Sequence, residues 1–98
     1  MADLPTHLIA ADMLKCFVSD IFTKAGTDRA EGERIATYLL SANLTGHDSH
    51  GVIRVPRYVQ NLKDGDTLPA QSITIVTEGP THAVVDGNAG FGQTIGPQ

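Results

Sequence analysis

Two histidines, an aspartate, a serine and two arginines are gathered in HDSHGVIRVPRY, residues 47–58. The chain as a whole is sparing with charge. Asp, Glu, Lys and Arg make up 18% of it, below the usual quarter. His50 and Arg54 are four apart, so on a helix over 50–55 they would share one face. An arginine fork grips a carboxylate through two parallel hydrogen bonds. An imidazole, with an unperturbed pKa of about 6.5, can pass a proton to or from a neighbouring oxygen. Together the pair suits a small carboxylic acid with an oxygen beside the carboxylate. The plainer alternative is a histidine at a helix start and a surface arginine.

Other chemistries fit the same stretch less well. His47 and His50, three apart, could share a metal ion on a helix face, but a zinc site needs at least a third protein ligand. Only His7, His82 or a carboxylate could supply it, and no spacing recommends any of them, so no metal is expected. Asp48 and Ser49 read more simply as N-cap residues for the helix that follows. Ser49 lacks the G-x-S-x-G setting of a hydrolytic nucleophile. Further on, DGNAGFG, residues 86–92, places its glycines as G-x-x-G-x-G. That is not the G-x-G-x-x-G of a dinucleotide fingerprint, and it reads as a tight turn leading toward a helix.

The elements that must carry these residues can be read from periodicity. A first helix is expected over about 9–25. Ile9, Met13, Phe17, Ile21 and Ala25 recur every four residues, and Leu14, Val18 and Phe22 widen the stripe. Gly26 ends it. A second helix, about 29–45, is capped by Asp28, with Glu31 three residues on completing a capping box. Its buried face is Ile35, Ala36, Leu39, Leu40 and Ala42, and Gly46 stops it. Val52, Val55, Val59 and Leu62 predict a third helix over about 50–63, kinked or restarted at Pro56. After the turn-rich DGDTLP, two β-branched runs, about 72–78 and 82–86, predict a hairpin that could lean on the helices. The expected fold class is α/β in the α+β sense: three N-terminal helices followed by a β-hairpin.

Composition narrows the partners. With 98 residues the chain is one domain at most, and its net charge is −4 with only 7 Lys and Arg. That excludes the basic patch required for nucleic acid and disfavours an anionic membrane surface. Cys16 is the only cysteine, so no internal disulfide forms. It is expected as a small buried apolar residue of the first helix. The N-terminal residues lack a basic region followed by an uninterrupted apolar run, so no signal peptide is expected, and the cytoplasm is the default location. The hairpin leaves two edges open and GQTIGPQ carries no stop signal. Residues 1–98 are therefore expected to be the N-terminal segment of a larger protein.

The segment AxLxGHDSHGVIRVPRYVxxLxxG, from Ala42 to Gly65, together with the later VVDGNAGFGQTIG, resembles the start of the malate/L-lactate dehydrogenase family of the second type. That family is unrelated to the Rossmann-fold lactate and malate dehydrogenases, and includes ureidoglycolate, sulfolactate and 2,3-diketogulonate oxidoreductases. The resemblance covers essentially the whole chain. It implies a non-Rossmann NAD(P)-dependent oxidoreductase fold and hydride transfer between NAD or NADP and a small 2-hydroxy or 2-oxo acid, or an imine of one. It implies that His50 is the catalytic proton donor, that Arg54 binds the substrate carboxylate, and that Ser49 lies beside the substrate or cofactor. It also implies a homodimer. A second catalytic histidine, an active-site lysine and most cofactor contacts would lie outside these residues, so the chain alone is expected to be inactive. Two alternatives remain at this point: a non-catalytic remnant that acts as a protein-interaction module, and a small metal-binding protein using His47 and His50.

Overall fold

The computed structural model describes residues 7–98. The leader expectation rests partly on residues 1–6, which lie outside the described residues. Helices α1 (Ala11–Ala25) and α2 (Arg29–Leu44) pack together, and α3 (Val55–Asp64) closes over them. The hairpin follows as β1 (Thr74–Glu78) and β2 (Ala83–Asp86), and a short helix α4 (Gly92–Ile95) lies against α2. The α+β order read from the sequence is thus the order of the fold. None of the described helices is long and apolar enough to cross a membrane.

One core joins α1, α2 and α3, with Phe91 from just before α4. Val18, Phe22, Ile35, Ala36, Leu39, Leu40, Val55 and Phe91 are buried, with Leu14, Ile21, Val52, Tyr58, Val59 and Leu62 packed around them. Burying a side chain such as Phe22, Ile35 or Leu39 contributes roughly 1.5–3 kcal/mol. Phe22, Tyr58 and Phe91 meet as an aromatic trio with ring centroids 6.0–6.3 Å apart, and the Phe22–Phe91 pair is edge-on at 83°. Phe91 comes from the glycine-rich turn after β2, so that turn plugs the helical core.

The buried face of α1 is not the four-residue stripe that dominates its sequence. Ile9 precedes the helix, and Met13 and Phe17 are 71% and 64% exposed. Val18 and Phe22 carry the contacts instead, with Leu14 and Ile21 beside them. The two stripes are adjacent on the helix, and the approach of α2 and α3 selects one of them. Cys16 falls on the far side and is exposed, next to Asp12 and Lys15 in a shallow polar cleft. The expectation of a buried thiol fails for the same reason.

The capping box of α2 forms by half. Asp28 accepts a 2.7 Å hydrogen bond from the Glu31 amide, which satisfies one of the orphan donors of the first turn. The Glu31 side chain does not return the bond. It is 2% exposed and reaches away from its own helix. One oxygen accepts from the Ala70 amide at 2.8 Å and the other from the Thr94 hydroxyl at 2.6 Å. The same hydroxyl accepts from Arg34 at 2.9 Å. A buried carboxylate thereby ties α2 to the segment before β1 and to α4.

The hairpin does not lean on the helices. Every residue of β1 and β2 is exposed, and the antiparallel register is broken by a bulge between Ile75 and Thr77. Beyond β2 the chain turns through Asn88 and Ala89, both with positive φ (56° and 58°). Asn88 tolerates this conformation, whereas at Ala89 it costs about 1 kcal/mol. The Asn88 side chain braces the turn by donating to the Ser72 carbonyl at 2.7 Å and to the Thr74 hydroxyl at 3.0 Å. DGNAGFG is thus a turn that leads into a short helix.

Candidate active site

The residues singled out by type lie where α2 hands over to α3. Helix α2 ends in a Schellman motif: the His47 amide donates to the Ala42 carbonyl at 2.7 Å and the Gly46 amide to the Asn43 carbonyl at 3.1 Å. Gly46 takes φ +87°, a conformation in which a Cβ would be strained. The chain then makes two separate 3-10 turns, Asp48–His50 and Val52–Arg54, before α3 begins at Val55. A continuous helix over 50–63 is therefore not what forms. Gly51 between the turns has φ −96° and ψ −147°, which is extended rather than helical. Pro56 is the second residue of α3, where its missing amide costs no hydrogen bond. It starts a fresh helix rather than kinking an existing one.

Asn43 holds the break in place. Its side-chain amide donates to the Asp48 carboxylate at 2.9 Å, and its side-chain oxygen accepts from the Val52 amide at 2.9 Å. An ideal Cβ on Gly51 would lie 2.3–2.5 Å from the Asn43 amide group, so only glycine lets that group lie flat against the backbone. Asp48 does not cap a helix. Its carboxylate is the acceptor for Asn43, and neither 3-10 turn has a side-chain cap.

Ser49 joins the two residues whose spacing drew attention. Its hydroxyl lies 3.0 Å from His50 Nδ1, and its backbone carbonyl accepts from Arg54 Nε at 2.8 Å. His50 and Arg54 are brought into one local arrangement by Ser49, not by a shared helical face. All three are exposed. Arg54 uses Nε on the backbone, and its two terminal nitrogens have no hydrogen-bond or ion-pair partner among the described residues. His50 likewise spends Nδ1 and leaves Nε2 facing solvent. His47 contributes its backbone carbonyl, which accepts from the His50 amide at 2.9 Å. Among the described residues, no three His, Cys, Asp or Glu side chains gather as a metal-binding group.

A cavity lies further along the chain, around Tyr58 and Phe91. It is an open groove of about 640 Å³ whose walls include Tyr38, Tyr58, Asn61, Phe91 and Gln93. Ser49, His50 and Arg54 are not among its lining residues. The Gln93 side chain donates to the Tyr58 hydroxyl at 3.5 Å. Sequence reasoning passed over this groove. Tyr58 closes the HDSHGVIRVPRY stretch and Phe91 sits inside the glycine-rich turn, but nothing in the chain announces that they meet.

A guanidinium and an imidazole are held by one serine, the first at its backbone carbonyl and the second at its hydroxyl. Comparison with known proteins agrees with the motifs. The family model for malate/L-lactate dehydrogenase matches residues 9–98. A malate dehydrogenase of Pyrococcus abyssi is 41% identical over 88 residues, which cover 90% of this chain and 24% of that protein. An L-sulfolactate dehydrogenase of Methanocaldococcus jannaschii is 38% identical over 82 residues, covering 84% of this chain and 24% of that protein. Among solved structures, malate dehydrogenase from Pyrococcus horikoshii OT3 superposes with a TM-score of 0.83 at 35% identity, covering 91% of this chain and 26% of that one. The chain thus spans about a quarter of the length of the relatives it matches. On the motif, the fold and these matches, the chain belongs to the malate/L-lactate dehydrogenase family.

Proposed function

We propose that these residues form the substrate-binding part of an NAD(P)-dependent oxidoreductase acting on a small 2-hydroxy or 2-oxo acid, working as a homodimer. The observation that carries this reading is the pinning of His50 and Arg54 to the two ends of Ser49, with Arg54 anchored through Nε. Anchored in that way, the guanidinium presents its two terminal nitrogens to a carboxylate as a fork. The other imidazole nitrogen would then serve the 2-oxygen of the same acid. In the reductive direction His50 donates a proton to that oxygen as it gains negative charge, and in the oxidative direction it accepts the hydroxyl proton. Relatives named as malate dehydrogenase and L-sulfolactate dehydrogenase support a 2-hydroxy acid as the substrate class.

The hydride would be supplied or taken by a nicotinamide cofactor. The residues described here do not fit a whole dinucleotide. The walls of the large groove carry tyrosines, phenylalanine and side-chain amides but no lysine or arginine, so nothing in it offsets a diphosphate. The proposed role of Ser49 toward the cofactor is confined to its hydroxyl, which His50 already engages.

Arg54→Lys tests the fork. Lysine offers a single point charge in place of two parallel donors and cannot keep the bond to the Ser49 carbonyl while holding substrate. In an enzyme of the relatives' full length, the Michaelis constant for the 2-oxo acid should rise about tenfold or more, the loss of one charge-assisted bond, with a smaller change in turnover. Steady-state kinetics with NADH and NADPH against a panel of 2-oxo acids reads this directly. An unchanged Michaelis constant would remove Arg54 from the substrate site.

A further inference from the structure

We infer that Asn43 is a positioning residue for this site, setting the placement of His50 relative to Arg54 without touching substrate. The inference rests on the proposed role of that pair. Asn43 lies in the last turn of α2 and, among the described residues, is the one side chain that hydrogen-bonds to both 3-10 turns. It holds the first through Asp48 and the second through the Val52 amide, each at 2.9 Å. Ser49 and His50 belong to the first turn and Arg54 to the second. Among the described residues, the only direct link between those turns besides the backbone is the bond from Arg54 Nε to the Ser49 carbonyl. That bond is made at the surface, where alone it would be worth little. Asn43 supplies the rigid support. Its amide group lies so close to Gly51 that a single added carbon there would collide with it. A contact this tight fixes both turns to α2, and α2 to the core through Ile35, Ala36, Leu39 and Leu40. Catalytic geometry tolerates little drift: a displacement of about 1 Å can cost on the order of 10²-fold in rate.

Asn43→Ala removes both bonds. The expected result in the full-length enzyme is a fall in kcat/KM for the 2-oxo acid of about 10- to 100-fold, with the thermal midpoint close to wild type. The double variant Asn43→Asp/Asp48→Asn exchanges donor and acceptor. The carboxylate at 43 would accept from the Val52 amide and from the new amide at 48, so the support is rebuilt with its polarity reversed. It should recover most of the lost kcat/KM, which a merely structural defect would not do. Wild-type kinetics in Asn43→Ala, or a double variant no better than Asn43→Ala, overturns the inference. His50→Ala, assayed alongside, keeps the two claims apart. If His50→Ala is inactive while Asn43→Ala is fully active, the site stands and only the support role falls. If His50→Ala is itself fully active, the site assignment falls first.

Discussion

Replacing His50 with alanine in the full-length enzyme is expected to lower turnover by about 10²- to 10⁴-fold, the range typical of a general acid–base group. The structure makes this loss readable. His50 is exposed, and its ring contacts only the Ser49 hydroxyl among the described residues. Truncating an exposed side chain of this kind changes stability by less than about 0.5 kcal/mol. A fall in kcat therefore reports on chemistry and not on unfolding. The partner variant Ser49→Ala removes the contact to Nδ1 but leaves the Ser49 carbonyl, and hence the anchor of Arg54, in place. It should cost less than His50→Ala and leave the Michaelis constant closer to wild type. Measuring kcat and the thermal midpoint on the same preparations checks both points. A His50→Ala enzyme that turns over at the wild-type rate would end the proton-transfer role, whatever the behaviour of Arg54.

The second large effect concerns stability. Glu31→Ala is expected to destabilise the fold by about 3–5 kcal/mol, because two hydrogen bonds to a charged acceptor are lost and their donors stay partly buried. The Ala70 amide and the Thr94 hydroxyl both depend on this carboxylate, and Arg34 reaches it only through Thr94. Domains of this size hold about 5–10 kcal/mol in total, so one side chain accounts for a large share. In urea the midpoint should fall with an unchanged slope, and the thermal midpoint should drop by about 12 °C or more. Glu31→Gln keeps the length and one acceptor oxygen, so it should lie between the two. An alanine variant that unfolds at the wild-type midpoint would show that the carboxylate ties nothing together.

Much of the scaffold was legible because it depends on local rules. Gly26 and Gly46 mark the ends of α1 and α2 where expected, and β-branched runs mark the hairpin. Asp28 caps α2. What escaped the sequence depends on partners far along the chain. Glu31 looked like the second half of a capping box, but its acceptors are used 39 and 63 residues away. Met13 and Phe17 looked like core because their spacing is as regular as that of Leu14, Val18 and Phe22; only the packing of α2 and α3 decides between the stripes.

The site shows the same division. The residue types of Ser49, His50 and Arg54 were visible, and Pro56 marked either a kink or a fresh start. The spacing argument that paired His50 with Arg54 assumed a helix, and the structure has two 3-10 turns with extended Gly51 between them. The pair meets through Ser49, His50 at its hydroxyl and Arg54 at its carbonyl. The turns on either side are held by Asn43, which carries no motif of its own. Side-chain support from nine residues away along the chain has no periodic signature, so no reading of local pattern would have found it.

The bare hairpin divides the molecule by lifetime. The ladder bonds of β1 and β2 are made between two strands left exposed among the described residues, and a two-stranded ribbon of that kind is marginal in water. Its amides should open locally, at a free-energy cost near zero. The amides around Ile35 and Leu39 lie in the buried core and exchange only when the whole fold opens. Placed in heavy water, the chain should lose the protons of Val84 and Val85 early and keep those of Ile35 and Leu39 for times longer by orders of magnitude. Glu31→Ala should shorten only the second group.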